Sequence, residues 1–381
     1  MKIGIDVRTL ADKSPSGVSE YTRNLLGALI REGRSDEYSL FYNGWKKVDL
    51  SGFAPARIVR TGYPNKLFNY LLVPILKYPK IDRLLGCDLF FAPHLNFTAL
   101  SGRAGSVLTI HDLSFLRHPE FFSRKKNYWH RLINVKNLAG RFDRLIALSE
   151  NTKRDLMDLL GVEEEKIRVI NSGIDPELRP LDHADPRLAE TAGKYRLPQK
   201  FILTLSTIEP RKNLVNLIES FDRLIAARPE FSDCGLVIVG GTGWLAGKIF
   251  RARLKARSRD KIRFLGYVPR EEKIALYNLA SIFVFPSYYE GFGFPPLEAM
   301  ACGTPVIASA ATSLPEVVGG AGLLVDPDNQ ADLIGALGAV FSDGRLREWL
   351  RQAGFEQVKK FSWAVAAKKY REAFGELIER A

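Results

Sequence analysis

Short apolar runs alternate with amphipathic stretches along this chain, and the alternation breaks off once and then restarts. Strand-like runs fall at 2–7, 38–42, 57–59, 89–92, 107–110, 145–148 and 167–170, with helical stretches between them, among them 17–30, 123–138 and 150–160. Ser149 is placed to cap the last of these and Gly161 to stop it. From 175 to 198 the pattern collapses into a polar stretch holding Pro176, Pro180, Pro186 and Pro198, which reads as a linker. The rhythm resumes with strand-like runs at 201–205, 236–239, 262–265, 282–285, 306–308 and 323–325. Strand and helix in alternation predict an α/β class, each half a doubly wound parallel sheet. With 381 residues the chain is too long for one ordinary core. The expected domains are 1–178 and 179–361, with an amphipathic helix at about 362–381 crossing back onto the first. Ligands of such sheets sit beyond the carboxyl ends of the strands, so two facing domains predict a cleft between them.

Composition narrows the class. With 46% hydrophobic and 26% charged residues the chain is globular rather than disordered. Cys87, Cys234 and Cys302 are scattered, without a C-x-x-C or Cys/His cluster, so neither a disulfide framework nor a zinc site is expected, and the compartment is a reducing one. The opening Met1-Lys2-Ile3-Gly4-Ile5-Asp6 has the pattern of a first strand rather than of a signal peptide. No apolar run approaches the ~18–20 residues that span a bilayer. The expectation is a cytoplasmic protein, with peripheral contact at the inner face of the membrane.

The net charge of +12 suits nucleic acid, an anionic membrane or a phosphorylated substrate. Between Arg124 and Arg154 nine Lys/Arg face two acids, Asp143 and Glu150, and the aromatics Tyr128 and Trp129 are interleaved. That mixture fits anionic headgroups, or else a solvated helix face. No helix-turn-helix, RNP or zinc motif is visible, so nucleic acid is not an expected partner.

Chemistry concentrates at Glu290-Gly291-Phe292-Gly293-Phe294-Pro295-Pro296-Leu297-Glu298, directly after the strand at 282–285. The glycines let backbone approach a ligand, and the prolines set a helix start whose N–H groups favour an anion. Two carboxylates seven residues apart, Glu290 and Glu298, can accept hydrogen bonds from hydroxyls. Amides for phosphate and carboxylates for sugar hydroxyls suit a nucleotide sugar. Arg211 and Lys212 supply cations that would stabilise a departing diphosphate. The metal-holding D-x-D pattern occurs only as Asp326-Pro327-Asp328, well along the chain from these residues, so the cations stand in for a metal and no metal or other cofactor is expected.

The segment resembles the Glu-x7-Glu signature of retaining glycosyltransferase family 4, which has the GT-B fold of two Rossmann-like domains. Thr207-Ile208-Glu209-Pro210-Arg211-Lys212-Asn213 resembles its donor-diphosphate segment, Val239-Gly240-Gly241 its glycine turn, and Phe264-Leu265-Gly266-Tyr267-Val268-Pro269 its base-binding loop. Ile110-His111-Asp112-Leu113-Ser114-Phe115 and Asn171-Ser172-Gly173-Ile174-Asp175 match in the first half. The resemblance implies that Glu290 contacts the donor sugar, that Glu298 holds the ribose, and that the amides of Gly291, Phe292, Gly293 and Phe294 face sugar and diphosphate. It places Gly240 and Val268 in the nucleotide site and His111 near the donor sugar. Gly17, in Ser14-Pro15-Ser16-Gly17, stands where the family carries a richer glycine loop beside the donor phosphate. Catalytic roles are therefore expected for Glu290, His111, Arg211 and Lys212.

Within the family the motifs look most like bacterial mannosyltransferases of O-antigen or exopolysaccharide assembly. That implies transfer of mannose from GDP-mannose to a saccharide or lipid-linked acceptor, with retention of configuration and without a metal. A UDP-glucose-type or dTDP-rhamnose-type donor is the alternative within the class. A nicotinamide-dependent oxidoreductase would carry G-x-G-x-x-G in its first turn, where this chain has one glycine. A non-catalytic sugar-nucleotide-binding protein would keep the binding residues and lack turnover.

Overall fold

The computed structural model describes residues 1–11 and 17–379. Ser14, Pro15 and Ser16 of the expected glycine loop, and the last two residues of the expected terminal helix, lie outside the described residues. The chain forms two compact units. One comprises Met1–Leu116, Lys125–Gly173 and the chain from Phe361 on; the other comprises Arg117–Arg124 and Ile174–Lys360.

In the first unit seven strands make one sheet: β1 (Lys2–Asp6), β2 (Glu37–Asn43), β3 (Arg57–Thr61), β4 (Leu89–Ala92), β5 (Gly105–Ile110), β6 (Arg144–Ala147) and β7 (Ile167–Val169). Their order is β3-β2-β1-β4-β5-β6-β7, and every pairing is parallel. Helices on both faces bury the central strands, which is why β4 is apolar at consecutive positions instead of alternating. The helix Trp363–Ile378 buries Trp363, Ala366, Ala367, Tyr370, Ala373 and Phe374, a spacing of three and four that makes one apolar stripe. It lies on the helix Gly17–Glu32, where the Tyr370 and Tyr21 hydroxyls meet at 2.5 Å and Tyr370 reaches Thr109 at 2.8 Å.

The second unit holds six parallel strands: β8 (Lys200–Leu205), β9 (Cys234–Val239), β10 (Ile262–Gly266), β11 (Ile282–Phe285), β12 (Val306–Ser309) and β13 (Leu323–Val325). The order is β10-β9-β8-β11-β12-β13. Ile202, Leu236, Ile238, Ile282, Val284 and Ile307 of the sheet bury against Leu217, Ile218, Phe221 and Leu224 of the helix Leu214–Ala227. Each sheet reverses its winding once, between β1 and β4 and between β8 and β11. Such reversals open a crevice beyond the strands' carboxyl ends.

Three local expectations need correction. The single helix at 123–138 is two helices, Arg124–Ile133 and Val135–Arg141. Asn134 breaks it by taking a left-handed backbone (φ 47°) and accepting the Asn137 N–H on its side chain. The stretch at 175–198 is not all linker: Pro186–Tyr195 is a helix, because Asp185 caps it and Pro186 occupies its first turn. Residues 117–124 pack with the second unit, where Phe121 stacks on Tyr288, Phe122 stacks on Trp244, and the Trp244 indole donates to the Phe121 carbonyl at 2.6 Å.

Candidate functional site

The winding reversal of the second unit brings together two loops that are far apart in the chain. After β8 the backbone runs through Glu209 into the short turn Pro210–Lys212 and on into the helix Leu214–Ala227. After β11 it runs through Tyr288, Tyr289 and Glu290 into the helix Phe294–Ala301. The Tyr288 N–H donates to the Arg211 carbonyl at 2.9 Å, which ties the loops by their backbones.

Side chains complete the junction. Lys212 Nζ donates to Glu290 Oε1 at 2.5 Å, and Arg211 donates to Glu290 Oε2 at 3.2 Å and to the Tyr289 carbonyl at 2.8 Å. Buried Glu209 accepts from Arg211 Nε at 3.0 Å and so fixes the guanidinium. Glu290 and Lys212 are each only 8% exposed. Burial works to raise the Glu290 pKa, but the charges of Lys212 and Arg211 outweigh it and hold the carboxyl below the ordinary range. Burial and then the neighbouring Arg211 charge pull Lys212 down, against the pull of Glu290. The loop backbone is fastened from β12's side: Thr312 Oγ1 accepts the Glu290 N–H at 3.0 Å, and Ser313 Oγ donates to the carbonyls of Glu290 and Phe292 at 2.9 and 2.8 Å.

Gly291, Phe292 and Gly293 are buried and lead into the helix at Phe294, with Gly293 at φ 114° as its N-cap and the prolines in the first turn. On that helix Glu298 accepts from Tyr277 Oη at 2.7 Å and from Lys273 Nζ at 3.1 Å. Lys273 and Tyr277 stand four apart on one face of the helix Arg270–Leu279. Gly240, just past β9, has φ 138°, and any Cβ there would overlap the Ser206 carbonyl oxygen, so only glycine lets the two strand ends approach. Its N–H donates to Gly266 O at 2.8 Å, at the end of β10, and buried Val268 follows. Asp326-Pro327-Asp328 is remote in sequence but not in space: Asn213 and Asn216 donate to the Pro327 carbonyl at 2.8 and 3.0 Å. Asp326 accepts the Asp328 N–H within its own turn.

Sequence reasoning quoted Glu209 within its segment without giving it a role, and overlooked Lys273, Tyr277, Thr312 and Ser313. Only the four-residue spacing of Lys273 and Tyr277 carried a local signal, and nothing in it pointed to Glu298.

Gly17 and His111 belong to the first unit. Gly17 begins its helix, and a side chain there would meet nothing within 4 Å among the described residues. His111 follows β5; its Nε2 contacts the Pro93 carbonyl at 2.8 Å and its ring meets Tyr21 edge-on at 4.7 Å. Burial holds its pKa below the usual histidine value, against the Pro93 hydrogen bond and the Asp112 charge. Asp112 accepts both the N–H and the hydroxyl of Ser114, at 2.9 and 2.6 Å, and so begins a short helix. At this unit's own reversal lies a group that sequence reasoning passed over. Buried Asp6 is clasped by Arg8 at 2.6–3.0 Å, and buried His94 lies close enough to feel the charges of Asp6, Arg8 and His111. The basic stretch 124–154 does not present all its charge on one surface, because Arg144 is 3% exposed and paired with Glu376 at 3.0 Å, and Lys153 is paired with Glu164 at 2.6 Å.

Residues 15–178 match the family model described as Glycosyltransferase Family 4, and residues 191–357 that described as Glycosyl transferases group 1. The serotype-specific mannosyltransferase WbdA of Escherichia coli is 32% identical over 274 residues, covering 72% of this chain and 34% of that protein. The chain thus spans about a third of the length of the first curated relatives it matches. The O-antigen chain mannosyltransferase B of Escherichia coli is 33% identical over 262 residues, 68% of this chain and 67% of that protein. Among solved structures, sucrose-phosphate synthase from Thermosynechococcus elongatus superposes with a TM-score of 0.76 at 22% identity, covering 100% of both chains.

Proposed function

Because the chain belongs to glycosyltransferase family 4, we propose that it is a retaining, metal-independent hexosyltransferase that moves mannose from GDP-mannose to a glycan or lipid-linked saccharide in cell-surface polysaccharide synthesis. The observation that carries the chemistry is the Lys212–Glu290–Arg211 cluster at the winding reversal. Two relatives named as mannosyltransferases, one of them of the O-antigen chain, support the sugar and the class of acceptor.

In this reading the nucleoside diphosphate lies along the glycine-bearing loop at 290–294, with its ribose on Glu298 and its sugar beside Glu290. As the bond from the anomeric carbon to the phosphate oxygen breaks, charge grows on that oxygen, and Arg211 and Lys212 oppose it. Both cations are already fixed by carboxylates, so little reorganisation is needed when the charge arrives. Glu290 is a poor covalent nucleophile, since its charge is committed to two cations. A front-face route follows: the acceptor oxygen bonds to the anomeric carbon on the side the diphosphate leaves, and the leaving oxygen takes the acceptor's proton.

A thermal-shift panel with turnover tests this. GDP raises the unfolding midpoint, UDP and dTDP leave it in place, and GDP-mannose is consumed in the presence of a chelator. Stabilisation by UDP or dTDP alone moves the donor to the glucose or rhamnose type. Binding without turnover on any acceptor leaves a sugar-nucleotide-binding protein, and loss of turnover on chelation, restored by magnesium or manganese, refutes metal independence.

A further inference from the structure

The first unit carries an apolar surface that neither its core nor the proposed chemistry uses. Between Leu67 and Tyr78 six large side chains stand out from the protein: Leu67, Tyr70, Leu71, Ile75, Leu76 and Tyr78, with Ile75 65% and Leu76 58% exposed. Their segment is pinned from beneath. Phe68 and Val73 are buried, and the Phe68 ring packs on Tyr63 at 6.0 Å and on Phe41 at 6.3 Å, under the Arg8 guanidinium. The outward residues are therefore held in place on a fastened base.

Charge along this segment has one sign. From Leu50 to Ile81 the chain has no Asp or Glu, and it carries Arg57, Arg60, Lys66, Lys77 and Lys80. The patch also adjoins the basic helix. Tyr70 meets Phe97 at 6.1 Å, and Phe97 meets Trp129 of the helix Arg124–Ile133 at 6.2 Å. That helix exposes Arg124, Lys125, Lys126 and Arg131 together with Tyr128 and Leu132, and no acid occurs from Phe121 to Phe142.

We propose that the segment 66–80 and the neighbouring helix Arg124–Ile133 form a docking surface for an anionic lipid bilayer, with Leu71, Ile75 and Leu76 entering the headgroup–acyl boundary and Lys66, Lys77 and Lys125 contacting lipid phosphates. Apolar tips with tyrosines at their margin and lysines on long stems match the layered polarity of a membrane interface. The face of an anionic bilayer presents one sign of charge, and the acid-free runs 50–81 and 121–142 answer it with the opposite sign alone. The inference is independent of which sugar the chain transfers.

The test is co-sedimentation of the full chain with vesicles of phosphatidylcholine containing about one third phosphatidylglycerol. The wild type sediments with these vesicles, weakly with phosphatidylcholine alone, and less as salt is raised. Ile75→Ser combined with Leu76→Ser lowers the vesicle affinity about tenfold or more. Lys66→Glu combined with Lys77→Glu lowers it about as far and flattens the salt dependence. Trp349→Ser, which removes an exposed apolar side chain of the second unit, leaves binding unchanged. The unfolding midpoint of each variant confirms that it is folded. The proposal is overturned if the wild type stays in the supernatant or if the serine pair binds as the wild type does. It is equally overturned if the wild type proves to be a dimer that the serine pair dissociates while vesicle binding is unaltered, which would make the patch a contact between copies.

Discussion

Glu290 and Lys212, 78 residues apart, meet as an ion pair of 2.5 Å inside the second unit. Removing one partner leaves the other charge buried, at a typical cost of about 3–5 kcal/mol, whereas removing both does not. Glu290→Gln and Lys212→Met should each lower the unfolding midpoint, and the double variant should recover most of the loss. Turnover should not follow stability: all three variants should lose about a hundredfold or more. A double variant that regained activity along with stability would reduce the pair to a structural one.

Tyr277 and Lys273 hold the Glu298 carboxylate at 2.7 and 3.1 Å. If Glu298 grips the ribose equally in the ground and transition states, loosening it weakens binding more than chemistry. Tyr277→Phe should raise the KM for the donor by about threefold to tenfold with kcat within about twofold. A fall in kcat at unchanged KM would assign Tyr277 another role.

Acid should destabilise the first unit through His94. Burial pushes its pKa down to about 4, from 6.5. The unfolded chain takes up that proton near pH 6.5 and the folded chain only near pH 4, so stability is complete above 6.5 and falls through this window. The slope of unfolding free energy against pH should be shallower in His94→Gln by about 1.4 kcal/mol per pH unit. Identical slopes in denaturant titrations at several pH values would place the protonation elsewhere.

Two glycines should answer oppositely to the same change. Gly240→Ala forces a Cβ into the Ser206 carbonyl at a positive φ and should cost more than about 2 kcal/mol. Gly17→Ala meets nothing within 4 Å among the described residues and should change stability by less than about 0.5 kcal/mol. Denaturant midpoints measure both, and a large loss at Gly17 would show that its bareness matters.

The sequence by itself determined the elements and which residue types stand on the loops. Apolar runs marked the thirteen strands found among the described residues to within a residue or two at each end, most plainly the central ones, because a strand buried on both faces declares itself locally. Ser149 and Gly161 marked the ends of their helix for the same reason: a cap is made by neighbours, here Ser149 accepting from the Thr152 N–H. Local rules also failed where two of them competed, as at Asn134, whose own side chain turned the backbone out of a helix that the periodicity favoured. What touches Glu290 was not local. Strand order sets β8 beside β11, and only that adjacency brings Arg211 and Lys212 to a carboxylate on another loop. The lysine and tyrosine that hold Glu298, and the apolar side chains left outside at 67–78, were likewise decided by packing. Spacing along a chain encodes period and caps, whereas burial and partnership depend on which distant surfaces the fold brings into contact.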